Sequence, residues 1–142
     1  MQKRTRYAIV GCGKRSAMFS QAILSDHRDV AELVAFCDPN RTRMQYYNRI
    51  YSEVLGTPEV PMYTPEQFEG MLREQEVDTV IVTTIDRVHH EYICRAMELG
   101  CDAVTEKPMT TDASKCQQIM DTIAQTGCRL TVTFNYRYAP RN

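Results

Sequence analysis

Short apolar runs and longer amphipathic segments alternate along the chain. The runs are nearly continuous in apolar or β-branched residues, as strands buried on both faces of a parallel sheet require. The segments between them carry apolar residues three and four positions apart, which is the period of a helix with one buried face. This alternation predicts an α/β fold with a mainly parallel sheet. The predicted strands are 7–10, 33–37, 79–83, 103–105 and 130–134, with a weaker edge strand near Met62, where Pro61 removes a ladder donor.

Five helices are predicted between the strands, each with an apolar inner face. A capping box formed by Thr64 and Gln67 predicts one helix start, and Gly56, Gly100 and Gly127 stand where helix C-terminal caps are expected. Because each local signal agrees with the hydrophobic pattern, the element order is well defined. The predicted inner faces are Phe19, Ala22 and Ile23; Met44, Tyr47 and Tyr51; Phe68, Met71 and Leu72; Ile93, Ala96 and Met97; and Cys116, Ile119, Met120 and Ile123.

Length and charge are those of a single ordinary globular domain. The chain has 142 residues, with 43% hydrophobic and 25% charged residues, and 17 Lys and Arg against 18 Asp and Glu. The balance gives no basic excess for nucleic-acid binding. The basic cluster Lys3, Arg4 and Arg6 is interpreted as a solvated tail. Without a signal peptide or membrane span in the sequence, a cytoplasmic location and no membrane partner are expected.

Six cysteines are spread along the chain without a CxxC pair or a regular spacing with histidine. Zinc sites need such spacing, so no metal site is predicted. We interpret the cysteines as reduced and mostly buried, which agrees with a cytoplasmic location.

The loop after the first predicted strand reads Gly11-Cys12-Gly13-Lys14-Arg15-Ser16 and opens directly into a helix. In a GxGxxG loop the first glycine permits the tight turn, and the second lets the backbone approach a pyrophosphate beside the helix N-terminus. Ser16 departs from the third glycine but is small enough to pack there. The context predicts a Rossmann-type, doubly wound sheet with helices on both faces, and assigns these six residues to dinucleotide binding.

Asp38 closes the second predicted strand, a little over 20 residues after the loop. An acidic residue at this place holds the adenosine ribose hydroxyls in dinucleotide-binding domains. A second interpretation, an Asp that caps the following helix, is compatible with the first. A carboxylate there favours NAD over NADP, whereas Arg41 and Arg43 follow closely and are able to neutralise a 2′-phosphate. NAD is therefore the expected cofactor, with NADP left open.

Thr83, Thr84 and His89 lie between the fourth predicted strand and the next helix, beside the point where the strand order of this fold reverses. Ligands bind in the crevice at that point. The threonines are expected to line the crevice with hydroxyls and backbone. For His89 a cofactor contact and a capping or surface position are equally favoured.

Glu106-Lys107-Pro108 ends the fifth predicted strand. A helix starting at His89 precedes it, and Phe134-Asn135-Tyr136-Arg137-Tyr138-Ala139-Pro140 follows the last strand. Together with the glycine loop, these ordered motifs resemble the Gfo/Idh/MocA oxidoreductases, named for glucose-fructose oxidoreductase, inositol dehydrogenase and a rhizopine catabolism protein. The resemblance covers essentially the whole chain.

The resemblance implies an NAD(P)-dependent enzyme that transfers hydride to or from a sugar, polyol or related compound. It places Lys107 beside the nicotinamide and the reacting carbon, followed by a commonly cis proline, and Glu106 at the nicotinamide end or as the residue that orients Lys107. The chemistry agrees, because a positioned ammonium stabilises the charge that develops on oxygen during hydride transfer. Lys107 is therefore the predicted catalytic residue. Asn135 and Arg137 match family positions near the cofactor.

The resemblance also implies a second, α+β substrate domain that is absent from this chain. Residues 1–142 are then one NAD(P)-binding domain, expected to be inactive alone and to form a homo-oligomer when full length. The small-molecule substrate is expected to be carbohydrate-like. Alternatives are an NAD-binding sensor without catalysis and an NAD-dependent glycosidase of the same family. A methyltransferase also has a glycine loop and an acidic strand end, but nothing in that class explains Glu106-Lys107-Pro108.

Overall fold

A six-stranded parallel sheet forms the centre of the chain in a computed structural model that describes residues 2–134 and 140. The strands are β1 (Thr5–Val10), β2 (Ala31–Cys37), β3 (Met62–Tyr63), β4 (Thr79–Val82), β5 (Asp102–Glu106) and β6 (Leu130–Thr133). Their order across the sheet is β3-β2-β1-β4-β5-β6, and every neighbouring pair is parallel. The predicted strands, the edge position of the short strand and the reversal of order between β1 and β4 are confirmed.

Helices cover both faces of the sheet. They are α1 (Ser16–Leu24), α2 (Arg41–Leu55), α3 (Phe68–Glu74), α4 (His89–Glu98) and α5 (Ala113–Thr126), with 3-10 turns at Pro65–Gln67 and Asp86–Val88. One core contains Ile23 of α1 and Met44 of α2, and the other contains Met71, Ile93 and Ile119 of α3 to α5. This is the doubly wound arrangement that the sequence predicts. Within residues 2–134 and 140, no helix is both long and apolar enough to cross a bilayer.

The helix ends follow the local sequence signals. The capping box of Thr64 and Gln67 is present at the 3-10 turn that leads into α3. Gly56 and Gly127 adopt left-handed conformations at the ends of α2 and α5. Asn40, which the sequence reasoning did not single out, caps α2 by accepting from the backbone N–H of Arg43 at 3.3 Å. This cap fixes where α2 begins beside the loop after β1.

Two sequence interpretations are wrong. Met120, expected on the inner face of α5, is 52% exposed. The buried stripe of α5 instead passes through Ile119 and Thr122, so Met120 lies about 100° away from it around the helix. The basic cluster is not a solvated tail throughout, because Arg6 is part of β1 and its guanidinium bonds Glu32 Oε2 at 3.0 Å.

Candidate functional site

The loops after β1, β2, β4 and β5 meet at one edge of the sheet. Since all strands are parallel, their carboxyl ends lie at the same edge of the sheet. The loops after β1, β2 and β4 surround the point where the strand order reverses. These three loops, together with Pro65 and the start of α4, enclose an open cleft of about 380 Å³. It is lined by Gly11, Gly13, Asp38, Pro39, Arg43, Pro65, Thr83, Thr84, Ile85, Val88 and Tyr92.

Gly11 makes the tight turn that follows β1. Its φ is +85°, and a Cβ atom built there would lie 2.5 Å from the backbone nitrogen of Thr84 and 2.7 Å from the carbonyl carbon of Thr83. Only glycine fits this left-handed, crowded position. The hydroxyl of Thr83 donates to the carbonyl oxygen of Gly11 at 2.6 Å, so the two loops are joined directly.

Gly13 faces open space, with no atom within 4 Å of the position of an added Cβ. That opening leaves the backbone accessible to a large ligand. Ser16, 0% exposed, donates from its hydroxyl to the Gly13 carbonyl oxygen at 2.7 Å, so the serine in the third motif position fits without disturbing the loop. The hydroxyl of Tyr47 donates to the same oxygen at 3.1 Å, a contact absent from the sequence reasoning because it joins distant segments.

Asp38 lies at the floor of the cleft and is 4% exposed. Its Oδ2 accepts from the backbone N–H of Cys12 at 2.7 Å, and its Oδ1 accepts from the backbone N–H of Asn40 at 2.7 Å. The carboxylate therefore fixes the glycine loop and the start of α2 while lining the cleft. Cys12 serves the loop through its backbone, because its side chain is buried in the core.

The thiols beneath the loop are held protonated. Burial, reinforced by the negative charge of Asp38, raises the pKa of the Cys12 thiol well above its usual range. The same causes, in the same order, raise the pKa of Cys37 to about 12. Since only the thiolate is a strong nucleophile, neither side chain is available for chemistry. All six cysteines of the chain are free.

We expect iodoacetamide at pH 8 to leave Cys12 and Cys37 unmodified in the folded chain while labelling the half-buried Cys116. The raised pKa values keep the thiolate fraction very small, and burial blocks access. Peptide mass spectrometry after timed alkylation measures the labelling of each cysteine, with the urea-unfolded chain as control. Labelling of Cys12 as fast as that of Cys116 would contradict this description of the loop.

Lys14 and Arg43 are exposed at the rim of an adjoining hollow of about 560 Å³. Arg43 also lines the main cleft, as does Asp38. The hollow joins the glycine loop to the first turn of α2 through Asn40 and Thr42. The acidic Asp38 favours NAD, whereas the basic rim favours the 2′-phosphate of NADP, so the charges of the site are compatible with both cofactors.

Thr84 lines the cleft, and the buried ring of His89 lies behind it, against its carbonyl oxygen. His89 is 1% exposed, and its ring nitrogens lie 2.9 Å from the carbonyl oxygens of Thr84 and Pro108. The surface position that the sequence left open for His89 is therefore wrong, because the ring is buried between two loops, and its contact with the cofactor stays a prediction. Thr83 and Thr84 do border the cleft.

Glu106 connects the glycine loop to the ends of β5 and β6. It is 6% exposed, its Oε2 accepts from Nε of Arg15 at 3.1 Å, and its Oε1 accepts from the Thr133 hydroxyl at 2.7 Å. The buried carboxylate is thus compensated by a guanidinium and a hydroxyl. Lys107 follows with an exposed side chain, and the Lys107–Pro108 peptide bond is cis. Thr133 was missed because its contact depends on the pairing of β5 with β6.

Asn135 and Arg137, assigned to the cofactor from the sequence, lie outside the described residues. The remaining assigned positions lie along one edge of the sheet. Gly11, Gly13, Asp38, Arg43, Thr83 and Thr84 line the main cleft. Arg15 and Glu106 bridge the glycine loop to β5, immediately before Lys107.

The sequence profile described as "Oxidoreductase family, NAD-binding Rossmann fold", named for Gfo, Idh and MocA, matches residues 5–134. The chain belongs to the Gfo/Idh/MocA family. The family match accounts for the glycine loop and the parallel sheet. The chain is therefore an NAD-binding domain of the Gfo/Idh/MocA oxidoreductases, as its sequence predicts.

Relatives within the Gfo/Idh/MocA family are much longer than this chain. D-glucoside 3-dehydrogenase of Escherichia coli is 28% identical over 94% of the chain, which spans 36% of that protein. A glycosyl hydrolase family 109 protein of Shewanella putrefaciens is 28% identical over 92% of the chain, which spans 29% of it. The WlbA dehydrogenase of Bordetella pertussis, solved with NADH and UDP-GlcNAcA, is 25% identical with a TM-score of 0.79, covering 96% of this chain and 39% of that one.

Proposed function

We propose that the chain is the cofactor domain of an enzyme that transfers hydride between a nicotinamide cofactor and a sugar, polyol or related compound. The observation that carries the proposal is the convergence of Gly11, Asp38 and Glu106-Lys107 on one edge of a parallel sheet. The first two are the features that hold a dinucleotide. The last supplies an exposed ammonium directly after Glu106, whose carboxylate joins it to the glycine loop through Arg15.

The residues present fit NAD(H). The open space at Gly13 admits a pyrophosphate against the backbone, and the start of α1 presents its positive dipole end. Asp38 would hold the adenosine ribose, with Thr83 and Thr84 lining the cleft beside it. The cofactor, when bound, accepts or donates the hydride.

Lys107 would act on the oxygen of the substrate. When an alcohol is oxidised its oxygen loses a proton and gains electron density, and an ammonium in contact stabilises that charge or exchanges the proton. Glu106 cannot easily take this role because it is buried and paired with Arg15 and Thr133. We therefore assign Lys107 as the catalytic residue of this domain and Glu106 as the residue that orients the turn.

The names of relatives support a carbohydrate-like substrate, since one acts as a D-glucoside dehydrogenase and another was solved with a nucleotide sugar. We further propose that the full-length protein carries a second, substrate-binding domain and forms a homo-oligomer. The free cysteines agree with a reducing, cytoplasmic environment. The cofactor domain alone is then expected to bind the dinucleotide without turning over substrate.

The Asp38→Asn variant should lower the ratio of NAD to NADP affinity by about tenfold. The carboxylate repels a 2′-phosphate, and a like charge placed directly opposite another costs up to several kcal/mol, whereas an amide of the same shape does not repel it. Calorimetric titration of the chain with both cofactors measures the ratio. Asp29→Asn, which removes an exposed charge outside the cleft, is the matched control.

Equal losses for NAD and NADP in Asp38→Asn would mean that Asp38 only fixes the loop through the Cys12 and Asn40 amides. Tighter binding of NADP than NAD by the unmodified chain would instead assign the selectivity to Arg41 or Arg43, the basic residues that follow Asp38 in the sequence. Failure to bind either cofactor would contradict the proposed function itself.

A second candidate function is NAD-dependent glycoside cleavage, favoured by the similarity to glycosyl hydrolase family 109 proteins. Such an enzyme oxidises and reduces its substrate within one turnover, so the cofactor returns to its starting state. The two functions are separated by assaying the full-length protein on aryl glycosides while following NADH absorbance. Release of the aryl group without net NADH would support the glycosidase, and net NADH formation would support the dehydrogenase.

A further inference from the structure

The ring of His89 lies between two loops of the site and contacts both. Its Nε2 is 2.9 Å from the carbonyl oxygen of Thr84, and its Nδ1 is 2.9 Å from the carbonyl oxygen of Pro108. The ring is 1% exposed, so these contacts are shielded from water. Because His89 is the first residue of α4, the start of that helix anchors the ring between the end of β4 and the end of β5.

Hydrogen-bond chemistry limits how this ring can be protonated. A carbonyl oxygen only accepts, so each of the two contacts becomes a hydrogen bond only where the ring nitrogen carries a proton. The hydroxyl of Thr105 lies 3.4 Å from Nδ1 and is able to donate to it if that nitrogen is bare. A proton on Nδ1 bonds the ring to Pro108, whereas a bare Nδ1 leaves the Pro108 carbonyl without this donor.

A continuous path of contacts runs through the ring. On one side, Thr84 and Thr83 pack against Gly11, and the Thr83 hydroxyl donates to the Gly11 carbonyl oxygen at 2.6 Å. On the other side, His89 contacts the carbonyl of Pro108, directly after the proposed catalytic lysine. The ring therefore sits between the glycine loop and the lysine turn.

We propose that His89 is a positioning residue that holds the Lys107 turn in place by donating from Nδ1 to the carbonyl oxygen of Pro108. The inference rests on the proposed function, which puts the turn at the nicotinamide end of the cofactor. The contacts for the pyrophosphate and the adenosine ribose lie at the ends of β1 and β2. Loss of the hydrogen bond from His89 to Pro108 should therefore weaken recognition of the nicotinamide half of the dinucleotide alone.

Paired variants separate this role from packing. In His89→Asn the amide nitrogen takes the place of Nδ1 and still reaches toward Pro108, whereas in His89→Gln it takes the place of Nε2 and reaches toward Thr84. We expect His89→Gln to bind NADH about tenfold more weakly, with ADP-ribose affinity within about twofold, since one unpaired buried carbonyl corresponds to roughly that factor. His89→Asn should keep both affinities within about twofold. Calorimetric titration of the chain with NADH and ADP-ribose gives the two constants.

His90→Gln is the matched control, because His90 is the neighbouring half-buried histidine and its Nδ1 has no hydrogen-bond partner in the described part of the chain. An unchanged NADH to ADP-ribose ratio in His89→Gln would overturn the positioning role, as would equal losses in the Asn and Gln variants. If the unmodified chain binds neither ligand, the proposed function fails instead.

A measurement on the unmodified chain tests the same inference without relying on folding of the variants. Nitrogen-15 spectra of the imidazole ring report which ring nitrogen carries a proton. We expect a proton on Nδ1 of His89. A bare Nδ1 would show that the hydrogen bond from His89 to the Pro108 carbonyl is not formed and would overturn the proposal.

Discussion

Replacing Lys107 by alanine in the full-length protein is expected to lower kcat about 100-fold or more. A charged donor to a developing oxyanion contributes roughly that factor to the rate. The affinity for NAD should stay within a few-fold, because the glycine loop and Asp38 lie at the ends of β1 and β2, whereas Lys107 follows β5. Steady-state kinetics on the natural substrate, together with NADH titration, separate the two effects.

Lys3→Ala is the matched control for this experiment. Lys3 is an exposed lysine that precedes β1, so it stands at the sheet edge opposite the site. Its replacement should leave kcat unchanged. Near-normal turnover in Lys107→Ala would reduce the Glu106-Lys107-Pro108 segment to a structural turn and remove the catalytic assignment.

Gly11→Ala is expected to destabilise the chain by about 3 kcal/mol or more, because a strained backbone position and a core clash are each severe classes of substitution. The added Cβ would lie 2.5 Å from backbone that belongs to the loop after β4, and φ is +85°. The atoms that the Cβ would meet belong to the backbone of Thr83 and Thr84, which cannot move aside as a flexible side chain can. The shift of the urea unfolding midpoint measures the loss.

Gly13→Ala provides a matched comparison two residues away. An added Cβ meets nothing within 4 Å, and its φ is not in the left-handed region. Stability should therefore stay within about 0.5 kcal/mol, the usual range for a substitution in open space. The methyl group would occupy the approach to the backbone, so NADH affinity should fall. Equal stability of the two variants would contradict the described turn.

The sequence predicts the fold of this chain because its local and global signals agree. Apolar runs identify every strand, and the capping box at Thr64 and Gln67 identifies where the segment leading into α3 begins. The position of the glycine loop between β1 and α1 then determines which edge of the sheet carries the cleft. Met120 is the exception, since the inner face of α5 is narrower than its apolar residues suggest.

Contacts within the site depend on strand pairing and side-chain direction, which the sequence pattern does not determine. Glu106 meets Thr133 only because β5 pairs with β6, and it meets Arg15 only because the long Arg15 side chain reaches from the loop after β1 to the end of β5. The contacts of His89, at the start of α4, could not be predicted for the same reason, since its partners are backbone carbonyls of two loops. A residue type at a given position says little about bonds of this kind.

Titration of the nitrogen-15-labelled chain with NAD⁺, followed by amide resonances, tests the location of the cofactor site most directly. We predict saturable shifts concentrated at Gly11, Gly13, Asp38 and Thr84, at the carboxyl ends of β1, β2 and β4, with further shifts at Lys107 beyond β5. AMP should reproduce the shifts near Asp38 and leave Lys107 unmoved. Absence of shifts, or shifts gathered at the opposite edge around Arg6, would contradict a dinucleotide site at this edge of the sheet.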